Sequence, residues 1–129
     1  MKVTPKSGQR VVMVVDDSPT IRKLVTVTLE KEGYHVLTAA GGVEALNRLN
    51  EVVPDLILLD ISMPHMDGYQ LCRLIKGSET TSRVPVVMLS GKDGFFDQVR
   101  GRMVGAAEYV TKPFEPAMLL QAVERNFSH

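Results

Sequence analysis

An unbroken apolar run, Val11-Val12-Met13-Val14-Val15, stops at two adjacent carboxylates, Asp16 and Asp17, and is followed at once by Ser18-Pro19. A continuous apolar strand of this kind belongs to a sheet buried on both faces, which is the habit of parallel strands; a half-wet strand would alternate. Ser18 reads as a helix N-cap and Pro19 as a first-turn residue, so the acids lie between a strand end and a helix start. In open α/β sheets that carboxyl edge is where ligands bind.

The same grammar recurs. Leu56-Ile57-Leu58-Leu59 ends in Asp60, Val86-Val87-Met88-Leu89 in Ser90-Gly91, and Tyr109-Val110-Thr111 in Lys112-Pro113-Phe114. An acid pair, a third acid, a hydroxyl and a lysine therefore gather at one edge from separate parts of the chain. Between the runs lie amphipathic stretches. A helix is predicted from about Pro19 to Glu32, with Ile21, Leu24, Val25, Thr28 and Leu29 on one face and Gly33 as its stop. A second places Val43, Leu46 and Leu49 inward, and a third, from about Tyr69 to Lys76, places Leu71, Leu74 and Ile75 inward. A less regular fourth runs from about Phe96 to Val104. A fifth, from Pro116 to Phe127, buries Leu119, Ala122 and Val123. With strand two at Tyr34 to Ala39, strict alternation implies right-handed crossovers onto a doubly wound five-stranded parallel sheet, helices on both faces. The expected strand order is 2-1-3-4-5, which sets strands one and three side by side and brings Asp16, Asp17 and Asp60 into one crevice.

A chain of 129 residues with 44% apolar content suits one domain, here 11–129 after a loose polar leader, 1–10. Its 15 basic and 15 acidic residues cancel, so no net field favours nucleic acid or an anionic membrane. No apolar stretch approaches the roughly 20 residues that span a bilayer. The single cysteine, Cys72, forms no internal disulfide and reads as a packing residue. These features fit a cytoplasmic protein. His35, His65 and His129 show no ligand spacing.

Three crowded carboxylates repel one another, so either one holds a proton or a cation joins them. A hard divalent ion, Mg²⁺, suits oxygen-only donors with positions left for water and a phosphoryl oxygen. Asp60, alone at its strand end, is the best nucleophile, Lys112 can pair with a phosphoryl oxygen, and Ser90 can donate to another. Lys92, two positions beyond Ser90, is either a modulator of the phosphoryl group or a solvated loop lysine.

From roughly residue 10 to 127 the chain resembles the receiver domains of two-component response regulators. Asp16-Asp17 match the family's acidic pair, Asp60 its phosphoacceptor, Met63-Pro64 and Asp67-Gly68 the following loop, Ser90 the switch hydroxyl, Tyr109 the switch aromatic, and Lys112-Pro113-Phe114 the lysine motif. The resemblance implies a signalling switch and not an enzyme: phosphotransfer from a sensor histidine kinase to Asp60, with Mg²⁺ held by Asp17 and Asp60 side chains and the Ser62 backbone carbonyl. Asp16 completes the expected metal site, either ligating through water or orienting Asp17. It also implies a usually cis peptide before Pro113, and a shift of Ser90 and Tyr109 that remodels a face made by helix four, strand five and helix five. The stretches Met88 to Asp97 and Gly101 to Ala106 are similar to single-domain regulators of type IV pilus twitching motility and related chemotaxis-like pathways. The expected downstream target is a protein, and the expected assembly is a monomer or a phosphorylation-dependent dimer.

Three rivals share features of the site. A haloacid-dehalogenase-type phosphatase needs a second Asp where Ser62 stands, and a cap domain. A flavodoxin needs a Ser/Thr-rich phosphate loop after strand one, where Asp16-Asp17 would repel phosphate. A phosphorylation-independent docking module would keep the fold without using the acidic site.

Overall fold

The computed structural model describes residues 5–91 and 95–127, with backbone alone for 95–97. Five strands, β1 (Val11–Val15), β2 (His35–Ala39), β3 (Leu56–Asp60), β4 (Val86–Ser90) and β5 (Glu108–Thr111), alternate with five helices. These are α1 (Pro19–Glu30), α2 (Gly42–Leu49), α3 (Gly68–Gly77), α4 (Phe95–Met103) and α5 (Pro116–Arg125). All strand pairs are parallel and the order is β2-β1-β3-β4-β5. This is the doubly wound α/β sheet expected from the alternation of buried runs and amphipathic stretches.

Successive strand residues point to opposite faces, and the two cores divide accordingly. Val12, Val14, Leu56, Leu58, Val87 and Leu89 pack beneath Val25 and Leu29 of α1 and Leu119, Ala122 and Val123 of α5. Met13, Val15, Ile57, Leu59, Val86 and Met88 pack beneath Ala45 of α2, Leu71, Cys72 and Ile75 of α3, and Val104. Each fully buried leucine contributes about 1.5–3 kcal/mol of transfer free energy, so β3, buried along its whole length, anchors both layers.

Helix faces depart from expectation at three positions. Leu24, Val43 and Leu74 are exposed by 38%, 66% and 49%. In α1 the buried row is Val25 and Leu29, spaced four apart, and Leu24 lies one residue, about 100°, off it. In α2 the inward position is Ala45, where the helix runs close to the sheet, and in α3 Cys72 takes the seam, turning Leu74 outward. α1 ends at Glu30, two residues earlier than expected, and Gly33, at φ 89, a conformation that favours glycine, closes the turn that follows, its N–H donating to the Glu30 carbonyl at 3.0 Å.

At the opposite end of the sheet from the acids, the residues just before β1 pack against the rest of the described chain. Gln9 Nε2 donates to the Gly33 carbonyl (2.9 Å), and the Arg10 guanidinium lies 4.3 Å from the centroid of Phe127, itself 5.8 Å from that of Tyr34. Burial, then the Glu124 carboxylate, pushes the Tyr34 phenol up. No helix among the described residues is long and apolar enough to cross a membrane.

Candidate functional site

Beyond the last ladder pairs of β1, Val15 with Ala39 and Val15 with Leu59, the chain turns away from the sheet. Asp16 makes that turn: its Oδ1 accepts the Ser18 N–H at 2.9 Å, and Ser18 Oγ accepts the Ile21 N–H at 3.2 Å, capping α1. Asp60 repeats the device at the end of β3, its Oδ1 accepting the Ser62 N–H at 3.2 Å. Aspartate favours this because its short side chain reaches a backbone N–H two residues on. Both acids are fixed where strand gives way to loop, Asp16 fully buried and Asp60 3% exposed, while Asp17 points to solvent.

Because β1 and β3 are adjacent, the three carboxylates converge. Asp16, Asp17 and Asp60 each offer an oxygen within 4.8 Å of the others. From the far side of β4, Lys112 reaches in, its Nζ 2.7 Å from Asp16 Oδ2 and 3.3 Å from Asp60 Oδ1. Lys112 is carried there by its own backbone, whose N–H donates to the Ser90 carbonyl at 2.6 Å, and the Lys112–Pro113 peptide is cis. Ser90, 1% exposed, ends β4 beside Asp60, in the strand whose Leu89 is in register with it.

The electrostatics follow from this crowding. Burial first, then the Asp16 carboxylate, pushes the Asp60 carboxyl above the ordinary value, and Lys112 and the Ser62 N–H only partly offset them. Burial pulls the Lys112 ammonium down, but its hydrogen bond to Asp16 and the charges of Asp16 and Asp60 more than compensate and hold it above the usual lysine range. One ammonium among three carboxylates leaves the cluster anionic. Oxygen-only donors at this spacing, with Asp17 open to water, fit a hard divalent cation.

The loop after Asp60 is pressed against the site. Gly68 donates its N–H to the Ile61 carbonyl at 2.9 Å, and a Cβ there would meet the Asp60 carbonyl and come within 2.8 Å of Ile61 Cα. His65, exposed, turns the loop at φ 71, with the Met66 N–H donating to the Pro64 carbonyl at 2.8 Å. Asp67 caps α3 through a reciprocal box with Gln70.

Tyr109 lies two residues before Thr111, the register partner of Ser90. It flanks a groove of about 240 Å³ between α4 and β5, lined also by Met88, Gly101, Ala106 and Glu108. Its hydroxyl is buried without a hydrogen-bond partner among the described residues. Lys92 and His129 lie outside the described residues.

The structure thus brings Asp16, Asp17, Asp60 and Lys112 together, with Ser90 and Ser62 at the same edge and Tyr109 at the start of the neighbouring groove. One residue escaped the sequence reading. Arg22 of α1 donates from Nη1 to the main-chain carbonyl of Asp16 at 2.7 Å. Its only signal was a cation one helical turn past the acids.

The family model described as the response regulator receiver domain matches residues 12–124. Protein PilG of Pseudomonas aeruginosa is 48% identical over 113 residues, covering 88% of this chain and 84% of that protein. The alkaline phosphatase synthesis transcriptional regulatory protein PhoP of Bacillus subtilis is 42% identical over 105 residues, 81% of this chain but 43% of that protein, so the chain spans less than half its length. Among solved structures, the chemotaxis response regulator CheY4 of Vibrio cholerae superposes with a TM-score of 0.88 at 35% identity, covering 92% of this chain and 98% of that one.

Proposed function

Because the chain belongs to the response regulator receiver domains of two-component systems, we propose that it accepts a phosphoryl group from a sensor histidine kinase on Asp60 and thereby switches a protein-binding face. The observation that carries this reading is the cluster itself: three carboxylates within 4.8 Å of one another, and the Lys112 ammonium between two of them. Receiver domains are signalling switches, and the chemistry asked of the chain is correspondingly simple.

An Asp60 oxygen attacks the phosphorus of a phosphohistidine; the new O–P bond forms as the P–N bond breaks, and the imidazole leaves with the electron pair. Asp17, Asp60 and the Ser62 carbonyl are the groups that would hold Mg²⁺, with Asp16 behind them. Bound there, the ion supplies positive charge to the transferring oxygens. Lys112, 3.3 Å from Asp60, is in reach of a phosphoryl group built on that side chain and offsets its charge. Ser90, at the end of the adjacent strand, donates a hydrogen bond to another phosphoryl oxygen. Preorganised charge of this kind is most of what phosphoryl transfer requires of a protein.

The readout proposed is a shift of Ser90 toward the phosphoryl group, followed by Tyr109, that remodels the face of α4, β5 and α5. The Tyr109 hydroxyl, buried without a partner among the described residues, supports a change of place for that side chain, since a buried unpaired polar group costs about 1–3 kcal/mol. The similarity to PilG and to a chemotaxis response regulator supports motility or chemotaxis-like signalling; the setting proposed with it is the cytoplasm, a protein target, and a monomer or phosphorylation-dependent dimer. Incubation with acetyl phosphate and Mg²⁺, followed by intact mass, tests the core of the reading. A Mg²⁺-dependent adduct absent from Asp60→Asn and from an EDTA control is expected. A folded protein that gains no adduct would instead be a docking module.

A further inference from the structure

We infer that Arg22 is a positioning residue that sets the direction of Asp17 toward the cation site by gripping the peptide between Asp16 and Asp17. The inference rests on the metal reading of the acidic cluster given above.

Every polar group of Asp16 is engaged. Its N–H donates to the Ala39 carbonyl at 3.1 Å, its carboxylate oxygens accept from the Ser18 N–H and the Lys112 ammonium, and its carbonyl accepts from Arg22 Nη1 at 2.7 Å. The carbonyl is the group that the sheet cannot serve, because the ladders of β1 end at Val15. Arg22 sits in the second turn of α1, and helical side chains lean toward the N-terminus, which aims the guanidinium back at the strand end. The bond is charge-assisted and short.

Asp17 has no such support of its own. Its carboxylate is exposed and makes no hydrogen bond or ion pair among the described residues. What orients it is the main chain. The Asp16 carbonyl and the Asp17 N–H belong to one planar unit, so fixing the carbonyl fixes the plane from which the Asp17 side chain departs. Groups that orient a metal ligand from behind typically change affinity by tenfold or more when removed.

A guanidinium close to a cation site also acts by charge, and this makes the idea testable by sign. Considered as charge alone, Arg22 repels the ion, and its removal would tighten binding. Considered as a support for Asp17, its removal weakens binding. The experiment is calorimetric titration of Mg²⁺ into wild-type, Arg22→Gln and Arg22→Lys proteins, with thermal unfolding checking that each is folded at the assay temperature. We expect Arg22→Gln to raise the dissociation constant about tenfold. Arg22→Lys, which keeps a charged donor on a shorter stem, should fall between the two. With acetyl phosphate, the Mg²⁺ midpoint should move with the affinity while the rate at saturating Mg²⁺ stays within about twofold. Binding by Arg22→Gln as tight as wild type or tighter would overturn the inference. So would Arg22→Lys binding at wild-type affinity in the event that Arg22→Gln does not fold. Wild-type protein that takes up no Mg²⁺ would remove the metal reading and this inference together.

Discussion

Replacing Gly68 by alanine places a methyl group against the main chain that carries the proposed phosphoacceptor. The new Cβ would meet the Asp60 carbonyl and lie 2.8 Å from Ile61 Cα, where ordinary contact begins at 3.4 Å. The clash is with backbone, so no side chain can swing away, and relief demands that strand end and helix start part by at least about 0.6 Å, the difference between those two distances. Overpacking of this kind costs typically 1–3 kcal/mol. Taking about 2 kcal/mol, and a loss of roughly 3–5 °C per kcal/mol for a domain of this size, the midpoint of thermal unfolding should fall by about 6–10 °C. A misplacement of 1 Å can cost about a hundredfold in rate, so a shift of about 0.6 Å at Asp60 should slow phosphorylation by acetyl phosphate by roughly tenfold. Gly101 is the control. It lies within α4, and a Cβ there would meet Met88 Cγ at 3.7 Å and Ala106 Cβ at 3.8 Å, both ordinary contacts. Gly101→Ala should therefore stabilise by about 0.5–1 kcal/mol, because glycine in a helix interior is unfavourable relative to alanine. Circular dichroism melts and a phosphorylation time course decide the matter. A Gly68→Ala protein that melts within about 2 °C of wild type and is phosphorylated at the wild-type rate would refute the close-approach argument.

Other perturbations probe the charges. Asp60 has a folded-state carboxyl held above the ordinary value, so its ionised form destabilises the fold, and that penalty appears as pH rises through the carboxylate range. Asp60→Asn should thus melt a few degrees higher than wild type at neutral pH in EDTA, with the difference shrinking as the pH is lowered below that range; a constant or reversed difference would contradict the cause assigned. Lys112→Ala leaves Asp16 Oδ2 buried without its cation, and should cost about 3 kcal/mol in EDTA. Since Mg²⁺ would neutralise the same carboxylates, added Mg²⁺ should raise the melting point of Lys112→Ala more than that of wild type, read by scanning calorimetry. Cys72 is fully buried, with its thiol pushed up to about 11 by burial. It should resist a disulfide reagent at mildly alkaline pH in the native protein and react promptly in denaturant.

Much of this architecture is written into runs of apolar residues and the residues that break them. β1 and β3 are apolar along their whole length because both faces of the sheet are covered, and the acids that end them stand out as the first polar groups beyond the core. Ser18-Pro19 marked the start of α1 because cap chemistry is local, whereas Gly33 marks the turn beyond its end at Glu30. Helix faces were less legible. Leu24, Val43 and Leu74 are apolar and correctly spaced from other apolar residues, but only tertiary packing selects which row of each helix meets the sheet, and Ala45 and Cys72 gave no hydrophobic signal strong enough to compete. Arg22 was illegible for a different reason: its acceptor is a main-chain carbonyl, and sequence does not display which carbonyls the sheet leaves unpaired. That the Tyr109 hydroxyl is buried without a partner among the described residues is likewise a property of packing, invisible in the strand pattern that contains it.

The central claim is that Asp60, and no other acid of the cluster, receives the phosphoryl group. Phosphorylation with phosphoramidate and Mg²⁺, followed at once by borohydride reduction, converts an aspartyl phosphate to homoserine, which peptide sequencing by mass spectrometry locates. Homoserine at position 60 alone, formed only with Mg²⁺, is the expected result. Homoserine at position 16 or 17, or phosphate recovered on a histidine with residue 60 unchanged, would contradict the account.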